Sequence, residues 1–217
     1  MLIITGTPRS GTTRLAAYLQ MMGQDIRGLW IPEQMSGGLE DEQVRRINKQ
    51  LLENGRNQEL DKAIREIPVG VIKEPRFATL GNPILIQTWY AVRPEIKLLV
   101  VKRNFHDVGC SLHSSKGIKP IGDTPEEAAK IVGEGYNALL AEIKRLEIPY
   151  EQLEFPDFCD QRDHVLDVLQ EFGLLQFRPD SEVISRYKCS MGTPTAVWDQ
   201  WFDSSKARVY RRNDTIS

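Results

Sequence analysis

"GTPRSGTT", residues 6–13, lies between the short apolar run "LIIT" at residues 2–5 and "TTRLAAYLQMMG" at residues 12–23, where Leu15, Ala16, Leu19 and Met22 recur at helical spacing. Strand, glycine turn and helix in that order form the frame of a phosphate-binding loop, in which backbone N–H groups and the helix N-terminus converge on an anion. Gly6 and Gly11 have the G-x-x-x-x-G spacing of the nucleoside-triphosphate loop, yet Thr12 stands where that loop carries its lysine. Arg9 supplies a positive charge from inside the loop instead. A tight turn with no ligand is the alternative reading, and two glycines, a proline, an arginine and several hydroxyls between strand and helix argue against it.

Downstream, the pattern repeats strand and helix. "PVGVIK" (68–73) reads as a strand, "IKLLVVK" (96–102) as a fully apolar strand of the kind buried in a parallel sheet, and "YEQLEF" (150–155) as a fourth. Four helical stretches alternate with them. Residues 40–55 are closed by Gly55, and 82–92 have Asn82 as cap and Pro83 in the first turn. Residues 124–146 carry a Thr124/Glu127 capping box with Pro125, and 163–173 are closed by Gly173. The alternation predicts an α/β fold: a single domain over residues 1–217, three-layered, with a central parallel sheet and helices on both faces, P-loop nucleotide-hydrolase-like. The tail from about residue 181 is of mixed polarity, with Trp198, Trp201 and a basic "KARVYRR".

Composition narrows the function. The 217 residues are 41% hydrophobic, and 28 Lys+Arg against 30 Asp+Glu give a net charge of -2, so no overall field draws the chain to nucleic acid or an anionic membrane. Any anion site must be local. Cys110, Cys159 and Cys189 are odd in number and scattered, which fits a reducing compartment better than a disulfide framework or a zinc site. With no basic leader and no run of 18 apolar residues, the expectation is a soluble, cytoplasmic protein. The strand "KLLVV" ends in Lys102 and Arg103, where a triphosphate enzyme commonly places an aspartate for Mg²⁺. Two cations there disfavour a metal and suit a bare anion at the carboxyl edge of the sheet.

At this point the sequence resembles a known family. "GTPRSGTTRL" is similar to the 5′-phosphosulfate loop of the sulfotransferases, which use 3′-phosphoadenosine 5′-phosphosulfate (PAPS) as donor and need no metal. "VVKRNFHDVGCSL" resembles their 3′-phosphate motif, with Arg103 and Ser111 on its two phosphate-contacting positions and Phe105 where the family commonly has proline. "VIKEP" resembles the K-x-P segment, and "YEQLEF...VLDVLQEFGL" a late family stretch, so the likeness covers most of residues 2–175. The resemblance implies that Thr7, Pro8, Arg9, Ser10, Gly11, Thr12 and Thr13 hold the donor with Arg103 and Ser111. It also accounts for the missing lysine: a sulfonate carries one negative charge where a γ-phosphate carries two.

Sulfonyl transfer needs a base for the acceptor's proton and cations for charge developing on the leaving oxygen. Arg9 and Lys73 match basic positions of the family. Glu33, 24 residues beyond Arg9, falls near the glutamate of members that modify sugars or tyrosine, and Glu74 is the second candidate base. The histidine used by the cytosolic small-molecule branch is replaced here by Pro75. His106 and His113 belong with the phosphate motif, and His164 with the late helix. The expected activity is transfer of a sulfonate to a hydroxyl or amine of a small-molecule or carbohydrate acceptor. Residues 23–66, including Trp30, and the tail after 175 are expected to line its pocket. A P-loop kinase of a small metabolite and a non-catalytic nucleotide-binding module are the alternatives.

Overall fold

The computed structural model describes residues 1–21, 24, 26–28, 39–78, 83–114, 121–155, 157 and 162–173. Glu33, Trp30, Asn82, Cys159, Cys189 and the tail with its two tryptophans lie outside them. The apolar run at the start forms β1 (Leu2–Gly6), buried throughout, and the helical stretch after the loop forms α1 (Thr12–Met21). β3 (Val71–Lys73), β4 (Lys97–Lys102) and β5 (Tyr150–Glu154) stand where strands were expected, although β3 keeps only the last three of its six predicted residues. A two-residue strand, β2 (Ile26–Arg27), completes the sheet and has too little sequence to announce itself.

All pairings are parallel, in the order β2-β3-β1-β4-β5. Alternation along the strands sends side chains to two cores. Leu2, Ile4, Leu99 and Val101 pack with Leu15, Leu19, Val165 and Leu169, so α1 and α7 (Arg162–Glu171) cover one face. Ile3, Ile72, Leu98 and Val100 pack with residues of α2 (Glu42–Asn54), α3 (Gln58–Glu66), α4 (Pro83–Val92) and α6 (Pro125–Arg145) on the other. The predicted three-layer α/β architecture is the observed one. Its faces follow from the handedness of parallel crossovers: the step from β1 toward β2 runs one way across the sheet, and the steps β2 to β3, β3 to β4 and β4 to β5 run the other. A single hand then places their helices on opposite faces.

Local signals set the helix ends. Asp41 accepts the Val44 N–H at 3.0 Å and caps α2, which Gly55 closes at φ +73°. Thr124 accepts the Glu127 N–H at 3.1 Å, while Glu127 reaches back one residue further than a simple capping box requires, to the Asp123 N–H at 2.8 Å. α5 (Phe105–Ser114) starts from Asn104, whose side chain accepts the N–H groups of His106 and Asp107. Helix α3 was not expected; Asn57 caps it by accepting the Leu60 N–H, and its Leu60 and Ile64 are buried.

α5 lies close against α6, and Gly109 permits that approach. A Cβ at position 109 would sit 2.2 Å from the Pro125 carbonyl oxygen. Gly109→Ala is therefore expected to destabilise the protein by roughly 1–3 kcal/mol through overpacking, read as a lower urea midpoint with unchanged slope. A change within error would mean that α6 can slide away at no cost.

Candidate functional site

Parallel pairing brings the ends of β1, β3, β4 and β5 to one edge, and the residues that follow each strand build the site. The strand order reverses between β1 and β4, the position at which open α/β sheets bind ligands. Gly6 leaves β1 at φ +148°, and a Cβ there would lie 2.3 Å from the Val101 carbonyl oxygen, so only glycine lets the chain turn against β4. The Ser10 N–H then bonds the Thr7 carbonyl at 3.1 Å, and Arg9 takes a left-handed conformation at φ +66°. For a non-glycine residue that conformation costs on the order of 1 kcal/mol.

The two motifs, about a hundred residues apart in the chain, meet here. Arg9 Nε donates to Ser111 Oγ at 3.0 Å, and Arg103 Nη1 donates to the Arg9 carbonyl at 3.1 Å. Ser111, two turns into α5, reaches the loop because that helix starts directly beyond β4 and crosses toward it. The hydroxyls of Thr7 and Ser10 are buried and lack a hydrogen-bond partner among the described residues. Buried hydroxyls left in that state cost roughly 1–3 kcal/mol each. The loop thus offers hydroxyl donors, a helix N-terminus and arginines, a donor set suited to the phosphate and sulfonate oxygens of a PAPS-like ligand. Among the described residues no group of three or more His, Cys, Asp or Glu side chains is arranged to hold a metal.

Lys73 and Glu74, at the end of β3, are almost fully buried, each 1% exposed. The Glu74 N–H bonds the Ile4 carbonyl at 2.8 Å and holds this segment beside β1. Lys73 Nζ donates to Glu40 Oε1 at 3.1 Å. Arg76, in the 3₁₀ turn Pro75–Ala78, places Nη1 2.9 Å from both Glu74 oxygens and Nη2 2.8 Å from Glu40 Oε2. Burial pushes the Lys73 ammonium below its usual pKa, against the pull of Glu40. Burial likewise pushes the Glu74 carboxyl above the usual range, with Arg76 opposing it.

Glu40, Arg76, Arg14 and Phe155 are site residues that the sequence reading passed over. Arg76 was within reach, since "KEPR" puts it one short turn from the lysine and glutamate singled out. Glu40 opens the acidic run "EDE" and is indistinguishable there from a solvated charge. His106, His113 and His164 are exposed, and His106 Nε2 lies 3.6 Å from Cys110 Sγ.

Removing Arg76 takes away the largest interaction that opposes the burial of the Glu74 charge, so its carboxyl pKa rises further. A carboxyl whose folded-state pKa exceeds its unfolded value stabilises the fold below the ordinary carboxylate range and loses that contribution as pH rises. Arg76→Ala is expected to cost roughly 2–4 kcal/mol near pH 8 and less near pH 5, with Arg76→Ala/Glu74→Gln recovering most of the difference. Urea unfolding at the two pH values measures it, and a deficit independent of pH would count against this pairing.

No family model matches the sequence, and no curated protein matches it. Solved structures do match in fold. The sulfotransferase domain of the Synechococcus PCC 7002 olefin synthase superposes with a TM-score of 0.62 at 15% identity, covering 100% of this chain and 88% of that one. The sulfotransferase domain from the curacin biosynthetic pathway gives 0.53 at 16% identity, over 100% and 98%. A sulfotransferase from Mycobacterium tuberculosis H37Rv gives 0.50 at 14% identity, over 94% and 76%. The chain therefore has the fold of sulfotransferase domains, with its glycine loop, Arg103 and Ser111 gathered at the carboxyl edge of the sheet.

Proposed function

We propose that this protein is a sulfotransferase, a single sulfotransferase-like domain that moves a sulfonate from PAPS to a hydroxyl or amine of a small-molecule or carbohydrate acceptor. The observation that carries the reading is the junction of Arg9, Ser111 and Arg103 at the loop, because it joins the two anion-binding motifs into one site. When bound, PAPS would supply a sulfonate activated by its phosphate anhydride. The loop residues Thr7, Pro8, Arg9, Ser10, Gly11, Thr12 and Thr13 would hold its 5′ end through backbone N–H groups, hydroxyls and the Arg9 charge. Arg103 and Ser111 would hold its 3′-phosphate. No metal is required in this scheme, since arginines and the helix N-terminus do the charge stabilisation.

Lys73 and Arg9 are the cations proposed to stabilise the leaving oxygen, and Glu33 or Glu74 the base. Both Glu74 oxygens are engaged by Arg76, so proton removal there requires that guanidinium to shift. A cytoplasmic setting is proposed from the cysteine pattern. Among the described residues no helix is long and apolar enough to cross a membrane.

Two measurements test this reading. Thermal unfolding with 3′,5′-diphosphoadenosine at about 100 times its Kd is expected to raise Tm by roughly 5–10 °C, with the shift lost in Arg103→Ala. A shift with Mg-ATP alone would move the assignment to a kinase. With the acceptor found, Glu33→Gln or Glu74→Gln is expected to lower kcat by roughly 10²-fold or more at unchanged donor affinity. Full turnover in both variants would remove the carboxylate base from the mechanism.

A further inference from the structure

Phe155, the first residue after β5, meets the candidate site at three places. Its N–H donates to the Lys102 carbonyl at 2.7 Å, which carries the β4–β5 pairing one residue past β5. Its ring lies over Gly11: a Cβ at position 11 would stand 2.6 Å from the ring Cδ2. Two guanidiniums face the ring, Arg14 with its Cζ 5.2 Å from the centroid and Arg103 with its Cζ 5.4 Å away, both within cation–π range. One aromatic side chain thus touches the loop glycine and sets the distance between arginines from α1 and from the end of β4.

Arg14 makes this arrangement more than packing. It sits in the first turn of α1, which contains no acidic residue, and the helix macrodipole there disfavours a cation. The negative face of the Phe155 ring offsets part of that cost and holds the guanidinium at the rim of the loop. Arg103 is constrained from two directions, by the ring and by the Arg9 carbonyl. A leucine would fill comparable space and offer no quadrupole to either arginine.

We propose that Phe155 is a positioning residue which sets Arg14 and Arg103 beside the loop, and through them the preference for a nucleotide bearing two separate phosphates over one bearing a single phosphate. This rests on the donor reading given above. Isothermal titration of the full chain with 3′,5′-diphosphoadenosine and with adenosine 5′-monophosphate, at one fixed ionic strength, tests it. Phe155→Leu is expected to reduce the diphosphate preference roughly tenfold, while Phe155→Tyr, which keeps the ring face, stays within about twofold of the unsubstituted protein. Should Phe155→Leu fail to fold, Phe155→Met takes its place with the same expectation.

An unchanged preference in the leucine variant overturns the inference, as does an equal loss for both ligands, which would mean mere support of the loop. A tyrosine variant as impaired as the leucine variant also overturns it. If the unsubstituted protein shows no preference for the diphosphate, the donor reading falls and this inference falls with it. That outcome is distinct because it is seen before any substitution.

Discussion

The carboxyl edge of this sheet depends on a contact that allows no side chain: Gly6 against the carbonyl of Val101. β1 is paired on both sides, with Leu2, Ile3 and Ile4 opposite Val71, Ile72 and Lys73 and with Leu2 to Gly6 opposite Lys97 to Val101. A chain held on two flanks cannot move sideways, so its turn at the strand end must be made within the width of the sheet. Glycine allows that, and the loop then starts its helix at Thr12 with the N–H groups still at the edge. The same pairing brings Arg103 off the end of β4, within reach of the carbonyl of Arg9. Register, turn and cation placement are therefore one constraint expressed three times.

That edge gathers several locally unfavourable features. It includes a left-handed non-glycine residue, buried hydroxyls lacking a partner among the described residues, and a cation in the first turn of a helix. These cost from a few tenths of a kilocalorie for the cation to roughly 1–3 kcal/mol for the others, and such features concentrate where structure is held ready for a ligand. The two apolar cores on the sheet faces, with Trp89 donating to Asn48 Oδ1 at 2.7 Å in one of them, supply the surplus that lets the edge persist.

Much of this was legible in the sequence because its signals were local. Strands β1 and β4 are uninterrupted apolar runs, Thr124 has the side chain that a cap requires, and "GTPRSGTT" carries its own turn chemistry. β2 and α3 were not legible: two residues give no periodicity, and the nine residues of α3 are largely charged, with burial decided by the neighbours of Leu60 and Ile64. The same difference separates the site residues. Arg9 lies in a loop whose spacing has a physical meaning, Arg103 ends an apolar strand, and Ser111 was reached only through the resemblance of its segment to a known motif, whereas Glu40 and Phe155 gain their place only when distant strands bring them to one edge. Lys73 and Glu74 were readable as charged residues at a strand end, but their burial and their partners were not.

The edge is divided by its charges. On the β1 and β4 side stand Arg9, Arg14 and Arg103 with the N-terminus of α1, a positive surface shaped around the loop. On the β3 side, Lys73 and Arg76 face Glu40 and Glu74, two cations against two carboxylates in one bonded group. A highly charged ligand is drawn to the first and gains little net attraction from the second. The second half instead contains groups that can hold or release a proton, all kept close by short contacts and by burial. The two halves meet at β1, where the Ile4 carbonyl accepts the Glu74 N–H.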